Sequence, residues 1–301
     1  MSTTPLALNR AAFLLLLFTA CLFGANHVAA RLAFNHGLDV ASAVTVRSLV
    51  TALVVGLIVW QQGVALKINS RQRGFLLLIS ALVAAQSLCL YASVARMPVA
   101  LALLTFNTYP LWTAFFAWLL YRHRPERAVL IAMPVLLFGL ALALDALGAA
   151  SGLGATMQWR HIGVGVAYAL IAAAMFGAVL ALTQHEVSGI DGRLRTAIIM
   201  GLVGLLALAA VQLQGGFHMP HAAAGWWGLA GLTLFYGTAF TIMFTLLPRL
   251  GVVGGSPIMN VEPVAALVLA WALLGQAIAP VQIVGALIVV GTVMALGLRK
   301  R

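Results

Sequence analysis

Apolar runs of 18 residues and more recur along the whole chain, and nothing else in the sequence constrains it as strongly. "FLLLLFTACLFGA" and "VLIAMPVLLFGLALAL" are the cores of two of them. A helix of about 20 such residues crosses a hydrocarbon core of roughly 30 Å. A soluble domain must turn a polar outside to water. With 63% hydrophobic and 8% charged residues over 301 positions, this chain cannot supply one. The fold class expected is an all-α integral membrane protein without a soluble domain.

Ten spans are expected, near 11–33, 40–60, 74–95, 98–121, 128–147, 162–183, 195–213, 225–247, 252–274 and 280–298. The longest connections are then 149–161 and 214–224. The first segment imitates a secretory leader, with Arg10 before it and the small residues Ala29 and Ala30 near its end. Its apolar stretch is about twice as long as a leader's core, and Asn26 and His27 interrupt it, so it reads as the first span.

The net charge of +11 could suggest nucleic acid, but the basic residues follow the membrane. With the N-terminus inside, thirteen Lys and Arg residues fall on the cytoplasmic side. Only Arg31, Arg96 and Arg160 fall outside, and Arg47 stays within the second span. Cytoplasmic loops carry such an excess. Both termini are therefore expected in the cytoplasm, with a lipid bilayer as surroundings and no nucleic-acid partner. No obligate protein partner is evident. Cys21 and Cys89 both fall within spans, which gives no disulfide framework and no structural zinc site.

The chain also repeats itself. At an offset of 153 residues, Phe23-Gly24-Ala25 returns as Phe176-Gly177-Ala178, and Arg96 as Arg249. Asn107 and Pro110 return as Asn260 and Pro263, and Ala117-Trp118 as Ala270-Trp271. An Arg, an Asn, a Pro and a Trp at one offset are hard to produce by chance. Two halves of five spans follow, 1–150 and 151–301. Five is odd, so the second half enters from the opposite side: an inverted repeat, as in many secondary transporters.

Asn107 lies eleven residues past Arg96 and Asn260 eleven past Arg249, so each is about 16 Å deep at 1.5 Å per residue. The prolines beside them each remove a backbone donor. Exposed carbonyls and amides at that depth are tolerated where they line a cavity or are buried in protein. Gln86, Trp112, Tyr236 and Thr241 fall near the same depth, with Asn26 and Tyr168 nearer the outer face. Asn26, Gln86, Asn107, Trp112, Tyr168, Tyr236 and Asn260 are thus the candidates for binding a small-molecule substrate. A lone polar residue in a membrane helix also serves as glue between helices. Glu262 lies deepest of the acids, about 20 Å into its span. It could bind a substrate ammonium group, carry a proton, or serve as a structural hydrogen-bonding group. His27 and Arg47 are the candidate cations within the spans to pair with it. "HMPH" at 218–221 resembles a metal pair without a carboxylate or cysteine near it in sequence, and reads as a loop.

"CLFGANHVAARLAF", "VTVRSLV" and "MNVEPVAALVLAWALLGQ" together resemble the drug/metabolite transporter superfamily, its EamA-type branch. The resemblance covers essentially the whole chain. It implies ten helices in two five-helix repeats in a bacterial inner membrane, with the aromatic amino-acid exporters closest in look. Gln276 and the run Tyr121-Arg122-His123 stand where many relatives carry carboxylates. A coupling role inherited from those positions does not carry over.

Two transport readings remain. One is an exporter of small neutral or zwitterionic metabolites, amino acids among them, working by alternating access. The other is a multidrug or organic-cation exporter, with Glu262 as its fixed negative charge. A membrane enzyme needs a nucleophile with a base, paired acids or a metal cluster. The spans offer no Gly-x-Ser-Gly, no carboxylate pair and no histidine cluster. No catalytic residue, metal or cofactor is expected.

Single cysteines replacing Lys67, Arg124 and Arg301 should all be labelled from the cytoplasmic side. Labelling of position 301 from outside would overturn both the topology and the parity argument.

Overall fold

The computed structural model describes residues 10–123, 127–149, 151–243, 257–276 and 279–299. Among them the chain is helical and contains no strand. Three long helices come first: α1 (Arg10–Asn35), α2 (Val40–Gln61) and α3 (Ser70–Arg96). The fourth expected span is two helices, α4 (Val99–Phe106) and α5 (Tyr109–Tyr121), and α6 (Arg127–Ala143) follows. The second half contains α7 (Gly154–Glu186), α8 (Gly192–Leu213) and α9 (Ala223–Thr241). A short 3-10 turn (Pro257–Val261) leads into α10 (Glu262–Leu274), and α11 (Pro280–Arg299) closes the chain. Six segments are long and apolar enough to cross a membrane, counting Val99–Tyr121 as one. The end of the eighth expected span, 244–247, and the start of the ninth, 252–256, lie outside the described residues.

The break between α4 and α5 follows from Pro110, which has no amide to bond to the carbonyl of Phe106. It sits in the first turn of α5, where a missing donor costs least. Pro263 stands likewise in the first turn of α10. The offset of 153 holds here to the residue. α5 begins at Tyr109 and α10 at Glu262; they end at Tyr121 and Leu274. Their C-caps, Arg122 (φ 57°) and Gly275 (φ 63°), are both left-handed. Glycine takes that conformation freely, whereas arginine bears a steric cost.

The expected loop 149–161 is largely helix, since α7 starts at Gly154 and runs for 33 residues. Its extra turns tie back to the end of α6. Gln158 Nε2 donates to the Leu144 carbonyl at 2.9 Å and Trp159 Nε1 to that of Ala146 at 3.1 Å.

Side-chain contacts sort the helix ends into two sets. Arg71 at the start of α3 pairs with Glu186 at the end of α7 (2.8 Å), and Tyr121 at the end of α5 donates to the same carboxylate (2.9 Å). Arg193 at the start of α8 bonds to Gln62 after α2 and to Asp191. The hydrogen-bonded Arg193 guanidinium holds the Asp191 carboxyl below its usual pKa. At the opposite end, Arg31 of α1 donates to the Val94 carbonyl of α3 (2.7 Å), and the Val99 amide to Gln276 after α10 (3.1 Å). Gln282 of α11 donates to the Ala143 carbonyl of α6 (3.1 Å). His218 meets Asp39 there too, with Nδ1 3.8 Å from its carboxylate. The "HMPH" loop thus does have a carboxylate beside it, brought by the start of α2. No group of three metal-ligating residues forms among the described residues.

It follows that α1 and α7 run in opposite directions. The most extensive interfaces all join one half to the other: α2 with α8, α1 with α9, α3 with α7, α6 with α11. Under the 153-residue offset α1–α9 exchanges with α7–α3, and α1–α10 with α7–α5. The glycines at these crossings agree. A Cβ on Gly24 would meet the Ala266 amide and the Glu262 carbonyl at 2.9 Å, and Cβ of Ala265 at 3.2 Å. A Cβ on Gly177 would meet Cβ of Trp112 at 2.6 Å and the Thr113 amide at 2.7 Å. Trp112 and Thr113 are the offset partners of Ala265 and Ala266.

Gly24→Ala and Gly177→Ala should each cost about 1–3 kcal/mol, because backbone rather than a flexible side chain must yield. Gly56→Ala, whose Cβ would meet nothing within 4 Å, should leave stability unchanged or raise it. Thermal unfolding of the purified variants in detergent measures both.

Candidate functional site

Helix α1 carries polar side chains in two directions within the bundle. Asn26 and His27 sit one turn from Phe23 and Gly24, at the spacing that keeps side chains on adjoining faces. Phe23 points to α9, edge-on to Tyr236 at 6.1 Å. Gly24 lets α10 approach, and His27 Nε2 lies 3.3 Å from Glu262 Oε1. Asn26 points to α3, where its Oδ1 accepts from the Tyr91 hydroxyl at 2.8 Å.

Tyr91 is the hub. Its hydroxyl donates to Asn26 and accepts from Arg47 Nη1 at 3.0 Å. Arg47 Nη2 donates to Ser87 Oγ at 3.0 Å, and Ser87 donates onward to Gln86 Oε1 at 3.4 Å. The guanidinium carbon lies 4.7 Å from the Tyr91 ring and 3.8 Å from the Tyr236 ring. Tyr236 in turn packs on Phe240 at 4.4 Å and donates to Met200 Sδ at 3.6 Å. The His27 ring stands edge-on to Tyr91 at 5.7 Å. Four helices are thereby joined: α1, α2, α3 and α9.

The cluster is sealed. Asn26 and Tyr91 are 0% exposed, Arg47 3% and His27 5%. Glu262 is less closed, with 23% of its side chain accessible. Several polar nitrogens inside have no partner: the donors Asn26 Nδ2 and Arg47 Nε, and His27 Nδ1. Buried polar groups are normally paired, so each marks a place where a bond is missing.

Of the sequence candidates, the structure brings Asn26, His27, Arg47, Gln86, Tyr236 and Glu262 into this one region. Asn107 is the C-cap of α4, buried, with an unpartnered Nδ2. Trp112 packs on Phe115 and against Gly177 at the α5–α7 crossing. Tyr168 lies under Arg96, 5.0 Å from the guanidinium carbon. Asn260 is in the 3-10 turn, and its side chain lies outside the described residues. Tyr91 and Ser87 escaped the sequence reading. Their four-residue spacing puts two hydroxyls on one face of α3, which was the available signal. Tyr109, the counterpart of Glu262, packs edge-on against Phe176 at 5.1 Å.

The family profile described as "EamA-like transporter family" matches the chain twice, over residues 10–144 and 163–298. No curated protein matches the chain. Among solved structures, one described as "Crystal structure of protein" is 16% identical, with a TM-score of 0.63. The match covers 97% of this chain and 99% of that one, and at this identity it is a likeness of fold.

Tyr91→Phe removes the hydroxyl shared by Asn26 and Arg47 and leaves both buried. A loss of about 1–3 kcal/mol in stability is expected, measured by thermal unfolding in detergent. An unchanged unfolding temperature would mean that the hub holds nothing together.

Proposed function

This chain belongs to the EamA-like transporter family, and from that premise we propose an exporter of small neutral or zwitterionic metabolites, amino acids including aromatic ones. Membership makes it a multi-pass membrane transporter of the drug/metabolite superfamily. The finer reading is ours: ten spans, two inverted repeats at 1–150 and 151–301, both termini cytoplasmic, in the inner membrane of a bacterium. The two family matches and the opposed directions of α1 and α7 support the repeat. The gathering of Arg71 and Arg193 at one end of the bundle supports the sidedness.

One observation carries the substrate reading. A sealed polar shell with unpartnered donors, edged by Phe23, Tyr236 and Phe240, lies where three helices of one half meet α9 and α10 of the other. Amides and charged groups suit the polar part of a small metabolite, and the rings suit an apolar side chain. Rocking one half against the other would open this shell to each side in turn.

The organic-cation reading rests on Glu262, the deepest acid. Glu262 lies 3.3 Å from His27 Nε2, and the buried Arg47 guanidinium in the same region disfavours a simple cation. Glu262 is also the candidate for coupling, as an acid within the bundle with 23% of its side chain accessible.

Counterflow in proteoliposomes with labelled amino acids and organic cations tests the substrate class. Exchange of amino acids is expected; exchange of cations alone would overturn the reading. Glu262→Gln should lower pH-driven transport about tenfold or more and flatten its pH profile. A folded variant with wild-type rate and pH dependence would make the carboxylate structural.

A further inference from the structure

Arg47 has no acid. The chain contains six carboxylates. Asp39 caps α2 and faces His218, Asp145 accepts from the Ser151 amide, and Glu186 takes Arg71 and Tyr121. Asp191 takes Arg193, and Glu262 faces His27. The sixth, Glu126, lies between α5 and α6, outside the described residues. The buried guanidinium is therefore held by two hydroxyls and two aromatic faces, with Nε unpartnered. Hydroxyls and rings recover only part of what a cation loses on leaving water; a cation–π contact contributes about 0.5–2 kcal/mol. A hydrogen-bonded anion recovers far more. Beside it, through the shared Tyr91 hydroxyl, lies a second idle donor: Asn26 Nδ2, on a residue with 0% exposure.

We propose that Arg47 and the Asn26 amide form a carboxylate-binding pole for the substrate, and that the Tyr236 ring over the guanidinium is the cover of this pole. The inference rests on the transporter reading above and specifies its substrate class. The opposite charge is reached through His27, which stands edge-on to Tyr91 and lies 3.3 Å from Glu262. One region thus holds a buried cation on Tyr91 and, beyond His27, a partly accessible carboxylate. An α-amino acid carries the complementary charges within one small molecule. A simple organic cation lacks the group that Arg47 requires and meets it as a like charge. With its carboxylate at Arg47, the side chain of the amino acid falls toward Phe23, Tyr236 and Phe240, which pack against one another. Tyr236, at 3.8 Å from the guanidinium, must swing aside for this to happen.

The test compares acid with amide. Phenylalanine, leucine and serine, each beside its own amide, are added to the purified full-length protein, and thermal stabilisation and counterflow are measured. The acids should bind at least about tenfold more tightly than their amides, a difference of about 1.4 kcal/mol. Arg47→Gln should abolish the preference, while Arg47→Lys, which keeps the charge, should retain part of it. Equal response of wild type to acid and amide overturns this inference and leaves the transporter reading standing. Preference unchanged in Arg47→Gln overturns it as well. Exchange of tetraphenylphosphonium with no response to any amino acid overturns both. Should Arg47→Gln fail to fold, the wild-type comparison decides alone.

Discussion

A polar group in the interior of a membrane bundle can reach neither water nor a partner in the lipid, so the protein must supply one. The Tyr91 hydroxyl meets that demand for two helices at once. It accepts from Arg47 of α2 and donates to Asn26 of α1, while standing on α3 itself. Tyr236 adds α9 through its ring. Four helices are fixed around one oxygen and one guanidinium. The apolar contacts around them are numerous but undirected, because lipid tails attract leucine as well as protein does. Directed bonds at the centre decide which helix faces meet.

That distinction explains what could be read in the sequence. Span positions come from the apolar runs alone. The repeat was legible in Asn107, Pro110 and Trp118 against Asn260, Pro263 and Trp271, and the described helices extend the offset to the caps at Arg122 and Gly275. Depth is counted along an axis at 1.5 Å per residue. Direction around the axis is a different matter. A helix that is apolar on nearly all sides gives no stripe from which to read its buried face. Trp112 and Tyr168 are candidates by depth alone, and one packs on α7 while the other sits beneath Arg96. Tyr91 was overlooked for the same reason. The pairing of Glu262 with His27 rather than Arg47 depended on side-chain directions that spacing does not contain.

The two ends of the bundle are fastened differently. At one end, Glu186 is held by Arg71 and Tyr121, and His185 stacks on Tyr121 at 3.8 Å. The residues at the 153-residue offset are Ala33, Ala224 and Leu274, which carry no charge. There, a Cβ on Gly228 would touch the backbone of Ala29 and Ala33 at 2.7 Å. Near-symmetric helices with unlike fasteners need not open equally easily at both ends. Salt screens the ionic end, whose Arg71 is largely exposed, and leaves the glycine packing alone.

Arg47 and Tyr236 are 189 residues apart in the chain, and that separation matters while the protein is being made. Ribosomes add about 5–20 residues per second, so roughly ten to forty seconds pass between the synthesis of the arginine and of the ring that covers it. During that interval α2 must enter the bilayer with a charge that costs about 2.5–3.5 kcal/mol at a helix centre on insertion scales. Ser87 and Tyr91 arrive first, within the same half, and give the guanidinium its early partners. The wide interfaces with α7, α8 and α9 come only with the second half. The nascent first half is therefore a loose set of inserted helices, kept from expelling α2 by two hydroxyls on α3.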